Sequence, residues 1–251
     1  MLVLAFATGA AMGISATLML RSRQLTTSLT RMPTITLFGS SKFRSFRNVW
    51  MLEEMGVLFE HVPAKPRTAE ANAVNPFGKI PTLIIDGHVN VFESVAINTY
   101  LGDKYRWLPQ CSQLVPLAGT DARARYEVLT CCLLAELDAQ GLWIHRKHGS
   151  DVAQYIGSMN ADAVAVAKAH CEKIFHVMAK ELLSSGGDYM LGEHFSAVDI
   201  LFVHCLNWGE SIGWGDRWTS PAADDEPMCA LAAYLGRCRA RPAYARAKAR
   251  P

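Results

Sequence analysis

The sequence predicts an α+β protein in which a small mixed β-sheet with helices on its faces precedes an all-helical region. Short strand-like runs, either alternating in polarity or continuously apolar, occur between residues 33 and 93. With the helical segments among them they follow the order β-α-β, a connecting helix, then β-β-α, which is typical of a small mixed sheet. Beyond residue 121 the sequence has helical periodicity and no convincing strand.

Each element of the first region, predicted as a domain at residues 33–110, has its own signal. Gly56 is placed as the C-terminal cap of the first helix, because glycine readily adopts the left-handed conformation that ends helices. The turn at residues 86–88 joins two strands as a hairpin. The predicted elements are strands at Thr34–Phe38, Leu58–Val62, Thr82–Ile85 and Val89–Phe92, and helices at Arg44–Met55, Arg67–Val74 and Ser94–Tyr105.

The second region is predicted as an all-helical domain at residues 120–251. Leu108–Thr120 contains two prolines and no periodicity, which indicates a linker. The helices that follow are rich in Ala, Leu, Glu, Lys and Arg, which are good helix formers. They are predicted at Asp121–Leu142, Ala161–Leu183, Ala197–Ile212 and Met228–Arg241.

A capping box is predicted where the third of these helices begins. Ser196 would cap the helix, and Asp199 would accept a hydrogen bond from the Ser196 N–H. Its expected role is in folding, and removing the Asp199 carboxylate should cost roughly 0.5–2 kcal/mol. A much larger loss would indicate that the pair belongs to a buried network.

The composition is that of a folded protein without a charged binding surface. Of the 251 residues, 50% are hydrophobic and 19% are charged, which is enough apolar material for a substantial core. The net charge is +2, but Arg21, Arg23 and Arg31 precede the first acidic residue. The remainder is near neutral, which argues against nucleic acid or a membrane surface as a partner of the folded part.

The seven cysteines are odd in number and include no Cys-x-x-Cys pair. A zinc site or a disulfide framework would need a closer and more regular pattern. Most of them lie in apolar, helical surroundings, where a free cysteine behaves as a small hydrophobic residue. We therefore expect no metal and a reducing compartment.

Residues 1–31 are predicted to be a leader outside the fold. The absence of acidic residues, combined with arginines and a Ser/Thr-rich stretch, is typical of organelle-targeting segments. The apolar run at residues 1–20 is also long enough to span a bilayer, so membrane contact is expected only if that run is retained as an anchor. A third alternative is a gene-model extension with the natural start at Met32. The expected location is therefore cytoplasmic or mitochondrial, with anchoring left open.

The strongest functional signal is the stretch Asn75–Leu83, followed by Glu93-Ser94. Pro81 at the entry to a strand would hold Ile80 in a turn and leave its N–H and C=O available to an extended peptide. Glu93-Ser94 stands where a strand gives way to a helix, whose first N–H groups attract a carboxylate. A neighbouring acid suits an ammonium group, and one end of a free amino acid carries both charges.

These motifs identify a family resemblance that covers both regions. Asn75–Leu83 and Glu93-Ser94 resemble the glutathione-site motifs of soluble glutathione transferases. Trp50–Gly56 is similar to the end of the family's first helix, Phe195–Ile200 to its capping box, and Arg241–Tyr244 to its last helix. The resemblance implies a thioredoxin-like N-terminal domain (βαβ-α-ββα) followed by an all-α C-terminal domain. It also implies a homodimer and a role in detoxification.

The resemblance assigns a role to each residue of the motif. It implies that Ile80, held by Pro81, pairs with the cysteinyl backbone of glutathione. Glu93 and Ser94 would hold its γ-glutamyl end, and Lys79 would contact the tripeptide. Glutathione is then the co-substrate, and its expected partner is a small hydrophobic electrophile.

The group that activates the thiol is expected in the loop at residues 40–45. Lowering a thiol pKa of about 8.5 by about two units takes about 2.7 kcal/mol, which one hydrogen bond to a charged acceptor can supply. Family members use Tyr, Ser or Cys here, and this loop has neither Tyr nor Cys. Phe43 occupies the column where relatives carry a serine, so we predict Ser41, followed by Ser45 and Ser40.

Three functions are compatible with these motifs. The leading one conjugates glutathione to a hydrophobic electrophile, or uses it to reduce a peroxide. The departure at Phe43 favours an alternative, a non-catalytic glutathione-binding or scaffold protein. A thioredoxin-type redox protein is disfavoured because no cysteine lies between Met32 and Gln110. Residues 145–148 either contact the electrophile or form a solvated helix end.

Overall fold

The first described region is built on a four-stranded mixed sheet. The computed structural model describes residues 33–251, so the predicted leader lies outside the described residues. The sheet has the order β2-β1-β3-β4, in which β1 and β2 are parallel and the other pairs are antiparallel. The strands are β1 (Ile35–Phe38), β2 (Glu60–Val62), β3 (Thr82–Ile85) and β4 (Val89–Phe92).

Three helices accompany the sheet: α1 (Phe46–Met55), α2 (Ala69–Val74) and α3 (Ser94–Lys104). Gly56 ends α1 at φ 63° and donates its N–H to the Glu53 carbonyl, as the sequence predicted. The order of elements is the predicted one. The α+β fold class, with a thioredoxin-like first domain and a helical remainder, is therefore confirmed.

The remainder of the described chain is helical. Its helices are α4 (Asp121–Cys132), α5 (Trp143–His148), α6 (Ala153–Ile156), α7 (Ala161–Ser184), α8 (Ala197–Ser211), α9 (Asp216–Thr219), α10 (Glu226–Arg239) and α11 (Pro242–Ala249), and a short 3₁₀ turn at Pro109–Cys111 precedes them. Among residues 33–251, no helix is both long and apolar enough to cross a membrane.

Two of the predicted helices differ from the observed ones. The helix predicted at Asp121–Leu142 changes after Cys132 to the wider π-helical hydrogen bonding over Leu133–Leu142 and then continues as α5. The helix predicted at Met228–Arg241 instead runs from Glu226 to Arg239. It ends before Pro242, which has no N–H to donate to the preceding turn and begins α11. The short helices α6 and α9 had no periodic signal in the sequence.

Helix α1 lies between the sheet and the helical region. Val49 and Leu52 are fully buried in the core, and Trp50 packs its ring against Phe195 (5.4 Å between centroids) and Tyr244 (4.9 Å). Burying a large aromatic ring stabilises a fold by about 1.5–3 kcal/mol. The two regions therefore share one core through this helix.

The predicted capping box at the start of α8 is confirmed, and it belongs to a larger network. The Ser196 N–H donates to Asp199 Oδ2 at 2.7 Å. The other carboxylate oxygen accepts hydrogen bonds from the Met190 N–H and the Tyr234 hydroxyl, both at 2.9 Å. Because Asp199 is 0% exposed, all of these bonds are made without competition from water.

Candidate active site

The turn before β3 is held by Asn75. Its side-chain oxygen accepts from the Phe77 N–H at 2.9 Å, and its backbone carbonyl accepts from the Gly78 N–H at 2.9 Å. The Ile80–Pro81 peptide bond is cis. Within the described residues, neither the N–H nor the C=O of Ile80 bonds to another loop or turn group. This leaves a short backbone edge with which an extended peptide can pair.

Glu93 and Ser94 lie where α3 begins. Glu93 is exposed and has φ 70°, an uncommon conformation for a residue other than glycine. Ser94 is only 4% exposed, and its hydroxyl accepts a hydrogen bond from Arg47 Nη1 at 3.1 Å. The Asn48 side chain donates to the Ser94 carbonyl at 2.7 Å. Residues of α1 therefore fix the position of Ser94 from within the core.

The bond from Arg47 determines what the Ser94 hydroxyl can do. A hydroxyl has one proton to donate and two lone pairs that can accept. The Arg47 guanidinium already occupies one of the two lone pairs. Among the described residues, no acceptor is bonded to the Ser94 proton. Ser94 is therefore prepared to donate to an anion beside the first N–H groups of α3, as the predicted γ-glutamyl site requires.

A buried ion cluster supports Arg47 from the helical region. Arg47 is 1% exposed, and its Nη2 atom lies 2.5 Å from Asp138 Oδ2 and 3.0 Å from His204 Nδ1. Arg44 also binds Asp138, through its Nε (2.9 Å) and its Nη2. One carboxylate in the π-helical stretch thus binds two arginines, Arg44 in the predicted activating loop and Arg47 in α1.

Arg44, Arg47 and Asp138 were not predicted from the sequence as residues of the site. The available signal was a charged residue on the apolar face of a helix, as at Arg47 in α1 and Asp138 among leucines. Such residues are rarely buried unless they are paired. The pairing itself joins positions 91 residues apart, which periodicity does not reveal.

The pKa of Asp138 gives the first testable prediction. Burial opposes its ionisation, but the charges and hydrogen bonds of Arg47 and Arg44 outweigh burial and hold the pKa far below its usual value. The carboxyl pKa is about 3.9 in an unfolded chain, so the stabilisation is present above that pH and is lost as the pH falls further. Asp138→Asn should reduce the free energy of unfolding by a nearly constant amount between about pH 5 and 8.

Urea unfolding of the wild type and of Asp138→Asn at several pH values checks this. The difference in free energy of unfolding between the wild type and Asp138→Asn should shrink only below about pH 4. A difference that shrank between pH 8 and 6 would contradict the prediction and would implicate a histidine. Burial and the charge of Arg47 hold the pKa of the neighbouring His204 well below its normal value, so it should stay neutral in that range.

The three candidate serines of the loop differ in their surroundings. Ser41 is half-buried, its hydroxyl donates to the Arg250 carbonyl at 2.5 Å, and its N–H donates to the Pro251 oxygen at 2.9 Å. Ser40 is buried, and its hydroxyl accepts from the Lys42 N–H. Ser45 is 0% exposed, and its hydroxyl has no hydrogen-bond partner in the described chain.

Gly39 shows how closely this loop approaches the Ile80 turn. It has φ 138°, and a Cβ built on it would collide with the Ser45 hydroxyl and lie 3.1 Å from Ile80 Cβ. Only glycine fits there, so the loop and the predicted cysteinyl site meet at this residue. Lys79 is exposed, with its Nζ 5.9 Å from the ring centroid of Phe77.

The sequence is similar to those of known glutathione S-transferases. Residues 33–103 match the family model for the glutathione S-transferase N-terminal domain. The chain is 47% identical to glutathione S-transferase F10 of Arabidopsis thaliana over 75 residues, covering 28% of this chain and 33% of that protein. It is 30% identical to glutathione S-transferase 3 of Zea mays over 158 residues, covering 59% of this chain and 66% of that protein.

Solved structures share the whole described fold. The structure of glutathione transferase F7 from Populus trichocarpa gives a TM-score of 0.71 at 18% identity, covering 86% of this chain and 98% of that one. The glutathione transferase URE2P8 from Phanerochaete chrysosporium, solved with oxidized glutathione, gives a TM-score of 0.67 at 20% identity, covering 87% of this chain and 95% of that one. At these identities the similarity is one of fold.

Proposed function

We propose that this chain, which belongs to the soluble glutathione S-transferases, conjugates glutathione through its sulfur atom to a hydrophobic electrophile. The observation that carries the proposal is the Ser94 hydroxyl, which is buried at the start of α3 and prepared by Arg47 to donate. Together with the first N–H groups of α3, it suits the α-carboxylate of the γ-glutamyl group. The Glu93 carboxylate beside it suits the ammonium group.

The rest of the tripeptide would extend along the Ile80 turn. The N–H and C=O of Ile80, which have no backbone partner among residues 33–251, would pair with the cysteinyl residue, as an added strand pairs with a sheet edge. Lys79 is the nearby cation for the glycyl carboxylate. The solved relative that holds oxidized glutathione supports glutathione as the co-substrate.

Ser41 is the candidate that stabilises the thiolate. Its proton is engaged by a neutral carbonyl, that of Arg250, at 2.5 Å. A thiolate is charged, and hydrogen bonds to charged acceptors are roughly twice as strong, so it would take that proton in preference to the carbonyl. Ser45 has a free hydroxyl but is completely enclosed. The positive end of α1 adds to the stabilisation of the anion.

Calorimetry and kinetics on the same protein test the proposal. Glutathione should bind with measurable heat at millimolar concentration or below, and a chlorodinitrobenzene substrate should be conjugated. Ser41→Ala should lower kcat/KM by about tenfold or more, because a charged hydrogen bond contributes about 1.5–3 kcal/mol.

Ser45→Ala is the matched control in the same loop. It removes a buried hydroxyl that has no hydrogen-bond partner among residues 33–251, so neither stability nor kcat/KM should fall. An unchanged rate in Ser41→Ala would remove Ser41 from the assignment. The absence of any heat of binding would contradict the proposal as a whole.

One observation favours a second function, a glutathione-binding protein without turnover. The Ser41 hydroxyl is already bonded to Arg250, and Phe43 stands where relatives have a serine. If those bonds persist with glutathione bound, no hydroxyl reaches the sulfur. Heat of binding without conjugation of several electrophiles or reduction of peroxides would support this alternative.

A further inference from the structure

Helix α5 approaches the 39–45 loop with aromatic and cationic side chains. The Arg44 guanidinium lies close to two indole rings, 4.6 Å from the centroid of Trp143 and 5.0 Å from that of Trp208. The Arg146 guanidinium lies 5.8 Å from the centroid of Phe43. With Lys147, whose Nζ is 5.9 Å from Trp143, these residues form what we call the cationic wall: Phe43, Arg44, Trp143, Arg146, Lys147 and Trp208.

The charges of the cationic wall are not balanced within the described chain. Asp138 is the carboxylate bonded to Arg44, and it is shared with the buried Arg47. No carboxylate of residues 33–251 lies within ion-pair distance of Arg146 or Lys147. Arg146 is nevertheless half-buried, and both burial and the charge of Arg44 lower its pKa.

A partly buried guanidinium without a counter-charge is costly unless a ligand supplies one. The two histidines of this surface do not change the balance. Burial lowers the pKa of His145, whose ring packs against Trp214, and His204 is also kept neutral. The surface is thus aromatic and positively charged beside the loop that holds the predicted thiolate-binding serine.

We propose, on the basis of the transferase activity proposed above, that the electrophile is an aromatic molecule carrying an anionic group such as a carboxylate. The ring would pack against the indole and phenyl faces of the cationic wall. The planar Arg146 guanidinium would bind the anionic group, because its paired N–H donors match the geometry of a carboxylate. A neutral aromatic electrophile would pack its ring in the same way but would not bind the Arg146 guanidinium.

The reaction needs no redox partner. With an activated aryl chloride, the thiolate forms a carbon–sulfur bond at the ring carbon, the carbon–chlorine bond breaks, and chloride leaves with the bonding electron pair. The thiol proton passes to solvent before the attack. The anionic group remains unchanged and serves only for recognition.

Two matched electrophiles test the proposal on the full chain. 1-Chloro-2,4-dinitrobenzene is neutral, and 4-chloro-3,5-dinitrobenzoate carries a carboxylate on a comparably activated ring. The measured quantity is the ratio of kcat/KM for the benzoate to kcat/KM for the neutral compound, corrected for the uncatalysed rates. The wild type should favour the benzoate, and added salt should reduce the ratio because it screens the charge.

Arg146→Gln should lower this ratio about tenfold, mainly through the KM of the benzoate. Arg146→Lys should retain part of the preference, since it keeps the charge without the planar fork. Lys173→Gln, an exposed cation on α7, is the control and should leave the ratio unchanged.

The outcomes separate this proposal from the transferase activity. Turnover of the neutral compound with a ratio near one, or a ratio that Arg146→Gln does not change, overturns the anionic-electrophile proposal alone. Turnover of neither compound overturns the transferase activity and this proposal with it.

Discussion

Replacing Asp199 with alanine is expected to reduce the free energy of unfolding by about 4 kcal/mol. This exceeds the cost of an ordinary helix cap, which is about 1 kcal/mol. The carboxylate also accepts hydrogen bonds from the Met190 N–H and the Tyr234 hydroxyl, and each donor left buried and unpaired costs about 1–3 kcal/mol. Urea unfolding monitored by circular dichroism at neutral pH measures the loss.

Asn160→Ala provides the matched control for Asp199→Ala. Asn160 caps α7 with a single bond, from the Ala163 N–H at 3.0 Å, and it is exposed to water. Its loss should cost about 1 kcal/mol. Equal losses in the two variants would contradict the claim that the network around Asp199 contributes beyond the capping box.

Replacing Arg47 with methionine should weaken glutathione binding by at least about tenfold. The variant removes the charged donor that occupies a Ser94 lone pair, together with the positive charge beneath the predicted carboxylate site. It should also destabilise the fold by about 3 kcal/mol, because Asp138 loses its most deeply buried partner. Titration calorimetry with glutathione and urea unfolding measure the two effects separately.

A double variant separates recognition from stability. In Arg47→Met/Asp138→Leu no unpaired carboxylate remains, so much of the stability should return while glutathione binding stays weak. Arg125→Met, which removes an exposed arginine of α4, should change neither quantity by much. Recovery of binding together with stability in the double variant would show that Arg47 acts only through the fold.

The parts of the fold that were predictable depend on local patterns. Strand alternation, the glycine that ends α1 and the spacing of Ser196 and Asp199 are each determined within a few residues. Tyr234, whose hydroxyl belongs to the Asp199 network, lies 35 residues from Asp199 in the sequence, and no local pattern predicts this contact. The change to π-helical hydrogen bonding after Cys132 alters the backbone without changing the apolar composition, so periodicity did not reveal it.

The residues of the candidate site also divide into those that short motifs predict and those that depend on distant contacts. The Ile80 turn and the Glu93-Ser94 pair were predicted from short motifs, because the residues of each motif are neighbours in the sequence. The contact of Ser41 with Arg250 spans 209 residues, and that of Arg47 with Asp138 spans 91. Such contacts depend on how α1 packs against the helical region. That packing cannot be predicted from the local sequence of either part.

Because α1 packs against both the sheet and the helical region, the two parts cannot be separated without exposing the core between them. An excised segment 33–110 would carry the glutathione motifs, yet it would present Trp50 to water and leave Arg47 without its Asp138 partner. Such a fragment would be prone to aggregate rather than to act as a minimal binding module. We therefore expect the half that carries the recognition motifs to depend on the helical half for folding, so the two should melt together.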